Sequence, residues 1–252
     1  MTVFLTSAQM RIIEQSAIDS GRVSGLELMA RAGAGVVHAV LEHWPDMAHG
    51  SHRAIVLSGP GNNGGDGFVI ASDLRARGWQ VDVVFFGTAE TLPEDARQMY
   101  RRWVSDDHVH VLSVPKPTAE ESAHFCDLVH RCANPAAARS DRHPVLFVDA
   151  LFGIGLSRPL CGWDNFILQV EAAHGETFRI VAVDVPSGLD ADTGLYVTGE
   201  GAGTALGFRA DVTVTFHALK RGHLEGIGPR VCGTVKLVDI GLSAWDTGTD
   251  EA

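Results

Sequence analysis

Between an apolar run at Ala54–Leu57 and a helix-spaced segment at Phe68–Arg77 lies Gly59-Pro60-Gly61-Asn62-Asn63-Gly64-Gly65-Asp66-Gly67, a turn holding two amides and a carboxylate among glycines. A strand-to-helix junction turns backbone N–H groups outward and favours bound phosphate, and glycine lets a ligand approach the main chain closely. Phosphate cradling needs no side-chain oxygens, so Asn62, Asn63 and Asp66 imply a ligand that uses them. The spacing Gly59-x-Gly61-x-x-Gly64 also matches a dinucleotide fingerprint, whose partner is an acidic residue at the end of the second strand. Here Val81–Phe86 runs into Gly87-Thr88, with Asp82 near its start and Glu90 beyond its end. The turn reads as a ligand loop, but not as that of a hydride-transfer enzyme. An ordinary tight turn is the bland alternative, which the amides and carboxylate disfavour.

Two further apolar runs end in carboxylates. Val145–Val148 leads into Asp149 and Ile180–Val183 into Asp184, each followed by a glycine-bearing loop. Ligands of parallel sheets sit beyond the carboxyl ends of the strands, so both would gather with the glycine turn. One such aspartate is commonly a helix N-cap; two favour a site. Gly153-Ile154-Gly155-Leu156-Ser157-Arg158-Pro159 is a second glycine loop, and Arg158 is its strong phosphate-pairing side chain. Asn63, Asp149 and Ser187 offer hard oxygen donors with one formal negative charge, which suits a monovalent cation better than a transition metal.

Strands and helices must carry these residues into one place. Expected strands are Ala54–Leu57, Val81–Phe86, Val109–Val114, Val145–Asp149, Arg179–Asp184, Ala210–Phe216 and Thr234–Asp239. Expected helices are Gly67–Arg77, Glu94–Ser105, Ala119–Cys132 and Trp163–Ala173, preceded by a helical arm. In that arm Ser7–Ser20 is capped by Ser7 and turns Met10, Ile13, Ala17 and Ile18 to one side. Gly25–Leu41 follows, and its small residues Ala30, Ala32, Gly33, Ala34 and Gly35 allow close packing against the ligand loop or another subunit. The alternation predicts a mostly parallel sheet covered on both faces. Asn134–Pro144 reads as a flexible loop and the acidic tail from Ser243 as frayed.

The 252 residues fit one α/β domain, and 45% hydrophobic content supplies a core. A net charge of −11 argues against nucleic acid or an anionic membrane as partner. No apolar run is long enough for a membrane span, and the N-terminus lacks the pattern of a secretory signal. Cys126, Cys132, Cys161 and Cys232 form no CxxC pair, which fits reduced thiols and a cytoplasmic location. The 12 histidines include no HExxH and no ligand array for zinc.

In order along the chain, GNNGGDG at Gly61–Gly67, VDALFGIGLSRP at Val148–Pro159, VDVPSGLDADTG at Val183–Gly194, ADVTVTFHALKRGHL at Ala210–Leu224 and VDIGL at Val238–Leu242 resemble the NAD(P)H-hydrate epimerase family, the YjeF N-terminal domain. The resemblance implies a Rossmann-like three-layer αβα sandwich over residues 1–242, with 243–252 a flexible tail. It implies a homodimer that interconverts the R and S forms of hydrated NADH and NADPH (NADHX and NADPHX), a nucleotide-repair isomerase. By motif, substrate contacts fall to Asn62, Asn63, Gly64, Gly65, Asp66, Gly153, Ile154, Gly155, Leu156, Ser157, Arg158, Pro159 and Asp184, with Lys220 added from a lysine-bearing block. Asn63, Asp149 and Ser187 would hold a potassium ion, one per subunit. Asp184 is the expected acid/base residue at C6 of the nicotinamide ring and Asp66 the second choice. The chain departs from the family's LMENAG at Leu28-Met29-Ala30-Arg31-Ala32-Gly33. In many bacteria a dehydratase domain follows, so the resemblance leaves open a dehydratase partner in the same pathway, on a separate chain or joined to this one. A non-catalytic nucleotide-binding interaction module and a nicotinamide oxidoreductase are the alternatives, the second disfavoured by the missing ribose carboxylate.

Overall fold

Strand segments of this chain are apolar at consecutive positions because the sheet is buried on both faces. In β1 (Arg53–Ser58), Ala54 and Val56 point into one core while Ile55 and Leu57 point into another. β4 (Val145–Ala150) divides in the same way, with Leu146, Val148 and Ala150 on the first side and Val145 and Phe147 on the second. A period of two with both faces covered gives near-continuous hydrophobic runs. In the computed structural model, residues 4–107, 109–112, 118–133, 144–160, 163–175, 178–198 and 206–246 are described.

Among those residues seven strands form one sheet in the order β3-β2-β1-β4-β5-β6-β7. The other strands are β2 (Gln80–Phe86), β3 (His110–Leu112), β5 (Phe178–Val183), β6 (Val212–Phe216) and β7 (Thr234–Val238). Every neighbouring pair is parallel. The first face is covered by α1 (Ser7–Asp19), α2 (Gly25–His43), α3 (Asn62–Ala76) and α4 (Glu94–Val104). The second is covered by α5 (Ala119–Ala133) and α6 (Asp164–Ala173), joined by stacked Phe125 and Phe166 with centroids 4.3 Å apart. This is the expected three-layer αβα sandwich. The direction of winding reverses between β1 and β4, and an open α/β sheet has its ligand crevice at such a switch point.

Three local expectations change. α1 is capped by Thr6, not Ser7: Thr6 accepts from the Gln9 amide and Gln9 reaches back, a reciprocal capping box. Ser7 instead donates its N–H and hydroxyl to Asp192 Oδ1, at 2.7 and 3.1 Å. α3 begins at Asn62, not Gly67, so the amides and Asp66 stand on its first turns and the turn itself is only Gly59–Gly61. Its glycines oppose helix formation, but tertiary packing requires them: a Cβ on Gly64 would fall on the Gly59 carbonyl oxygen. The small residues of α2 do pack closely, Gly33 against Val69 of α3 and Gly35 against Val238 of β7. Ser113, Val114 and residues 134–143 lie outside the described residues. In the expected tail, Ser243–Trp245 form a 3₁₀ turn, Trp245 packs on the core and Asp246 bonds His217 at 2.6 Å; residues 247–252 are outside the described set.

Candidate active site

At the carboxyl ends of β1 and β4 the chain divides around a cavity of about 570 Å³, within the range of small-molecule sites. α3 supplies Asn62, Asn63 and Asp66, the loop after β4 supplies Gly153 to Leu156, and Asp184 follows β5. Lys220 closes the floor beyond β6, and Met10, Arg11, Glu14 and Ile18 of α1 form the opposite wall. The Arg11 guanidinium donates to the Ile154 carbonyl at 2.8 Å and ties that wall to the second glycine loop.

Asp184 is the best-anchored group. It takes a left-handed backbone conformation, φ 70°, rare for a side-chain-bearing residue. Its Oδ1 accepts from Lys220 Nζ at 2.9 Å and Thr215 Oγ1 at 3.1 Å, and its Oδ2 accepts from the Ile154 N–H at 2.9 Å. Buried Lys220 also donates to Thr215 Oγ1 and the Phe216 carbonyl, at 2.7 and 3.2 Å. His223 fixes the backbone: its Nδ1 accepts from the Lys220 N–H at 3.1 Å, so its Nε2 donates to the Asp184 carbonyl at 2.9 Å. Burial raises the pKa of Asp184, but the Lys220 charge, its hydrogen bond and the Ile154 amide more than offset this and hold the carboxyl below its usual range.

Two other carboxyls face the same space with the opposite bias. Burial, then the charges of Asp184 and Glu14, push Asp66 well above the carboxylate range. Burial and the Asp184 charge push Glu14 up to about 7, with Lys220 and Arg11 pulling the other way. Carboxyls whose environments drive their pKa values apart can divide acid and base duties.

Gly153 joins these groups to a second, deeper set. A methyl group built there would lie 2.7 Å from Asp184 Oδ2 and 3.0 Å from Asn63 Oδ1, so only glycine permits the approach. Next to it, the Phe152 N–H donates to Ser187 Oγ at 2.9 Å. Ser187 in turn donates its hydroxyl and N–H to the two oxygens of Asp149, at 2.6 and 2.7 Å. Asp149 is fully buried, its bonds come from neutral donors, and burial pushes it up to about 6. A buried carboxylate beside the Ser187 hydroxyl, with Asn63 Oδ1 facing the neighbouring Gly153 and no basic side chain bonded to Asp149 among the described residues, offers hard oxygens of the kind a monovalent cation takes. No cluster of three His, Cys, Asp or Glu that could hold a metal occurs among the described residues.

Of the residues expected from sequence, Asn62, Asn63, Asp66, Gly153–Leu156, Asp184 and Lys220 line the cavity. Gly64 and Gly65 lie behind it, packed on Gly59 and on Met29, and Asp149 and Ser187 are buried beneath it. Ser157, Arg158 and Pro159 are not part of its lining, and Arg158 is exposed. Ala30 and Arg31, where the family motif is broken, do not line it either; Arg31 donates to the Ile240 carbonyl at 2.9 Å. Arg11, Glu14, Thr215 and His223 were missed. Glu14 had a signal: it stands four residues from Met10 and four from Ile18, a carboxylate on an otherwise apolar helix stripe.

The family described as YjeF-related protein N-terminus matches residues 25–222. The chain belongs to this family. Relatives within it include the NAD(P)H-hydrate epimerase of Roseobacter litoralis, 41% identical over 96% of this chain and 100% of that one. The NAD(P)H-hydrate epimerase of Rhodobacter capsulatus is 42% identical over 90% of this chain and 96% of its own. A bifunctional NAD(P)H-hydrate repair enzyme of Coxiella burnetii is 33% identical over 96% of this chain, which spans 42% of that longer protein. The crystal structure of the yeast protein ynu0 superimposes with a TM-score of 0.60 at 23% identity, covering 86% of this chain and 82% of that one, a likeness of fold.

Proposed function

We propose that this YjeF-family chain is an NAD(P)H-hydrate epimerase, an isomerase that interconverts the R and S hydrates of NADH and NADPH. The observation that carries the reading is a cavity of about 570 Å³ in which an ionised carboxylate, Asp184, faces carboxyls biased toward protonation. In the substrate the hydroxyl sits on C6, beside the ring nitrogen. Protonation lets it leave as water while the nitrogen lone pair stabilises the ring as an iminium-like cation; water then adds to either face.

Asp184 and Asp66, ranked first and second from sequence as acid/base residues, take different parts in this reading. Asp184, held as a carboxylate by Lys220, suits stabilising the cation. Asp66, raised by burial, suits delivering the proton to the departing hydroxyl. Asn62, Asn63 and the Gly153–Leu156 backbone suit orienting the nucleotide. Ser157 to Pro159 and Arg158 remain candidates for the outer, phosphate-bearing part. Asn63, Asp149 and Ser187 would hold potassium, which would supply a fixed positive charge beneath the cavity. A homodimer and a dehydratase consuming the S hydrate belong to the same reading and rest on the family resemblance; a cytoplasmic location rests on the scattered thiols.

The test is to follow R and S hydrates by chiral-resolving chromatography with and without the protein. Acceleration well above the spontaneous rate is expected. Nucleotide binding without acceleration would favour the non-catalytic interaction module.

A further inference from the structure

We propose that Glu14 of α1 is a second proton-transfer residue of this site, acting on the water that leaves and enters C6; the proposal rests on the epimerase reading above. Glu14 lies on the inward stripe of α1 and lines two adjoining cavities, the main one and a smaller one of about 110 Å³. The two share Glu14, Ile18, Asn62, Asp66 and Phe216, so Glu14 stands at their junction. The smaller cavity has polar groups and room for ordered water beside the reacting space.

The groups facing Glu14 are Arg11 on its own helix, Asp66 of α3, Asp184 after β5, Lys220 after β6 and, across the smaller cavity, Asp95 of α4. Every other charged group at the cavity floor is committed: Asp184 and Lys220 bond each other, and Arg11 bonds Ile154. Glu14 and Asp66 carry no hydrogen bond or ion pair among the described residues, which leaves their carboxyls free for a ligand. Burial and the Asp184 charge push Glu14 up to about 7, where an acid/base group is most effective at neutral pH.

Epimerisation needs one proton given and one taken. A protonated carboxyl gives its proton to the C6 hydroxyl; the C6–O bond breaks with its electron pair on oxygen, and water departs. The ring nitrogen lone pair forms the C=N⁺ bond. Water then adds to the opposite face, its oxygen bonding C6 and its surplus proton passing to a carboxylate. Glu14 and Asp66 reach the cavity from different helices, so one can donate while the other accepts, and the reverse turnover exchanges their roles. The proton count closes with no other reactant.

The test compares wild type, Glu14→Gln and Glu14→Ala in the chiral assay, with thermal unfolding as a fold check. Expected for Glu14→Gln is a loss of kcat of about 10²-fold with KM little changed. The limb of the wild-type pH profile near about 7 should vanish, and added formate should restore part of the Glu14→Ala rate. If Glu14→Gln does not fold, Glu14→Asp decides instead: it should keep the limb. Wild-type kcat and limb in Glu14→Gln, or activity lost in both variants with no limb change and no formate rescue, would overturn the role of Glu14 alone. A wild type that does not accelerate epimerisation would overturn the epimerase reading and this proposal with it.

Discussion

Four side chains set the chemistry of the cavity, and each acts through its neighbours. Lys220 is buried with three acceptors around its ammonium, and Asp184 is its only carboxylate partner among the described residues. Removing one member of such a pair leaves an uncompensated charge, so Lys220→Met should cost about 3–5 kcal/mol, measured by denaturant unfolding, and should raise the Asp184 pKa. Glu14 carries the opposite sign. Its folded pKa is raised to about 7 from an ordinary value of 4.5, so its contribution to stability is full below about 4.5 and is lost as pH rises through 7. Tm should therefore fall more between pH 5 and 8 in wild type than in Glu14→Gln, as differential scanning calorimetry at several pH values would measure. Asn63, Asp66 and Asp184 were legible because a glycine turn and two strand ends announce themselves locally. Arg11 was not, and Glu14 showed only as a carboxylate on an apolar stripe, since both reach the site from a helix whose docking depends on Asp192, far away in sequence.

That docking belongs to the scale of elements. α1 is fastened at its start, where Ser7 donates to Asp192 and the Leu5 N–H donates to the Leu219 carbonyl at 3.0 Å. Asp192→Ala should loosen the wall that carries Glu14: hydrogen exchange in α1 should quicken and KM should rise. Global stability should drop by only about 0.5–2 kcal/mol, the scale of a lost helix cap. The start of α3 is tighter. Gly64→Ala would drive a methyl group into the Gly59 carbonyl, a backbone atom that cannot step aside. A loss of about 1–3 kcal/mol and of nucleotide binding is expected, read by thermal unfolding and titration. The strands were legible because burial on both faces writes unbroken apolar runs. The start of α3 was not, because its glycines argue against a helix until their close neighbour is known.

Across the whole molecule, sheet order rather than any single motif creates the site. β1 and β4 lie side by side, and the Gly59 N–H continues their ladder to the Ala150 carbonyl at 3.0 Å before the two loops part. In the loop after β4, Phe152 bonds Ser187 of the Asp149–Ser187 pair and Gly153 lies against the side chains of both Asn63 and Asp184. If potassium occupies the deeper set, KCl should raise Tm above equal NaCl, and Asp149→Asn should erase the difference. In the mechanism proposed, a hydroxyl leaves C6 and water returns under the control of Asp184. The most direct measurement is wild type against Asp184→Asn in ¹⁸O-labelled water, resolving the R and S hydrates and weighing each. Wild type should invert rapidly, with labelled oxygen entering as configuration inverts, and Asp184→Asn should invert at near-background rate despite retained nucleotide binding. Inversion without label, or Asp184→Asn turning over like wild type, would contradict that mechanism.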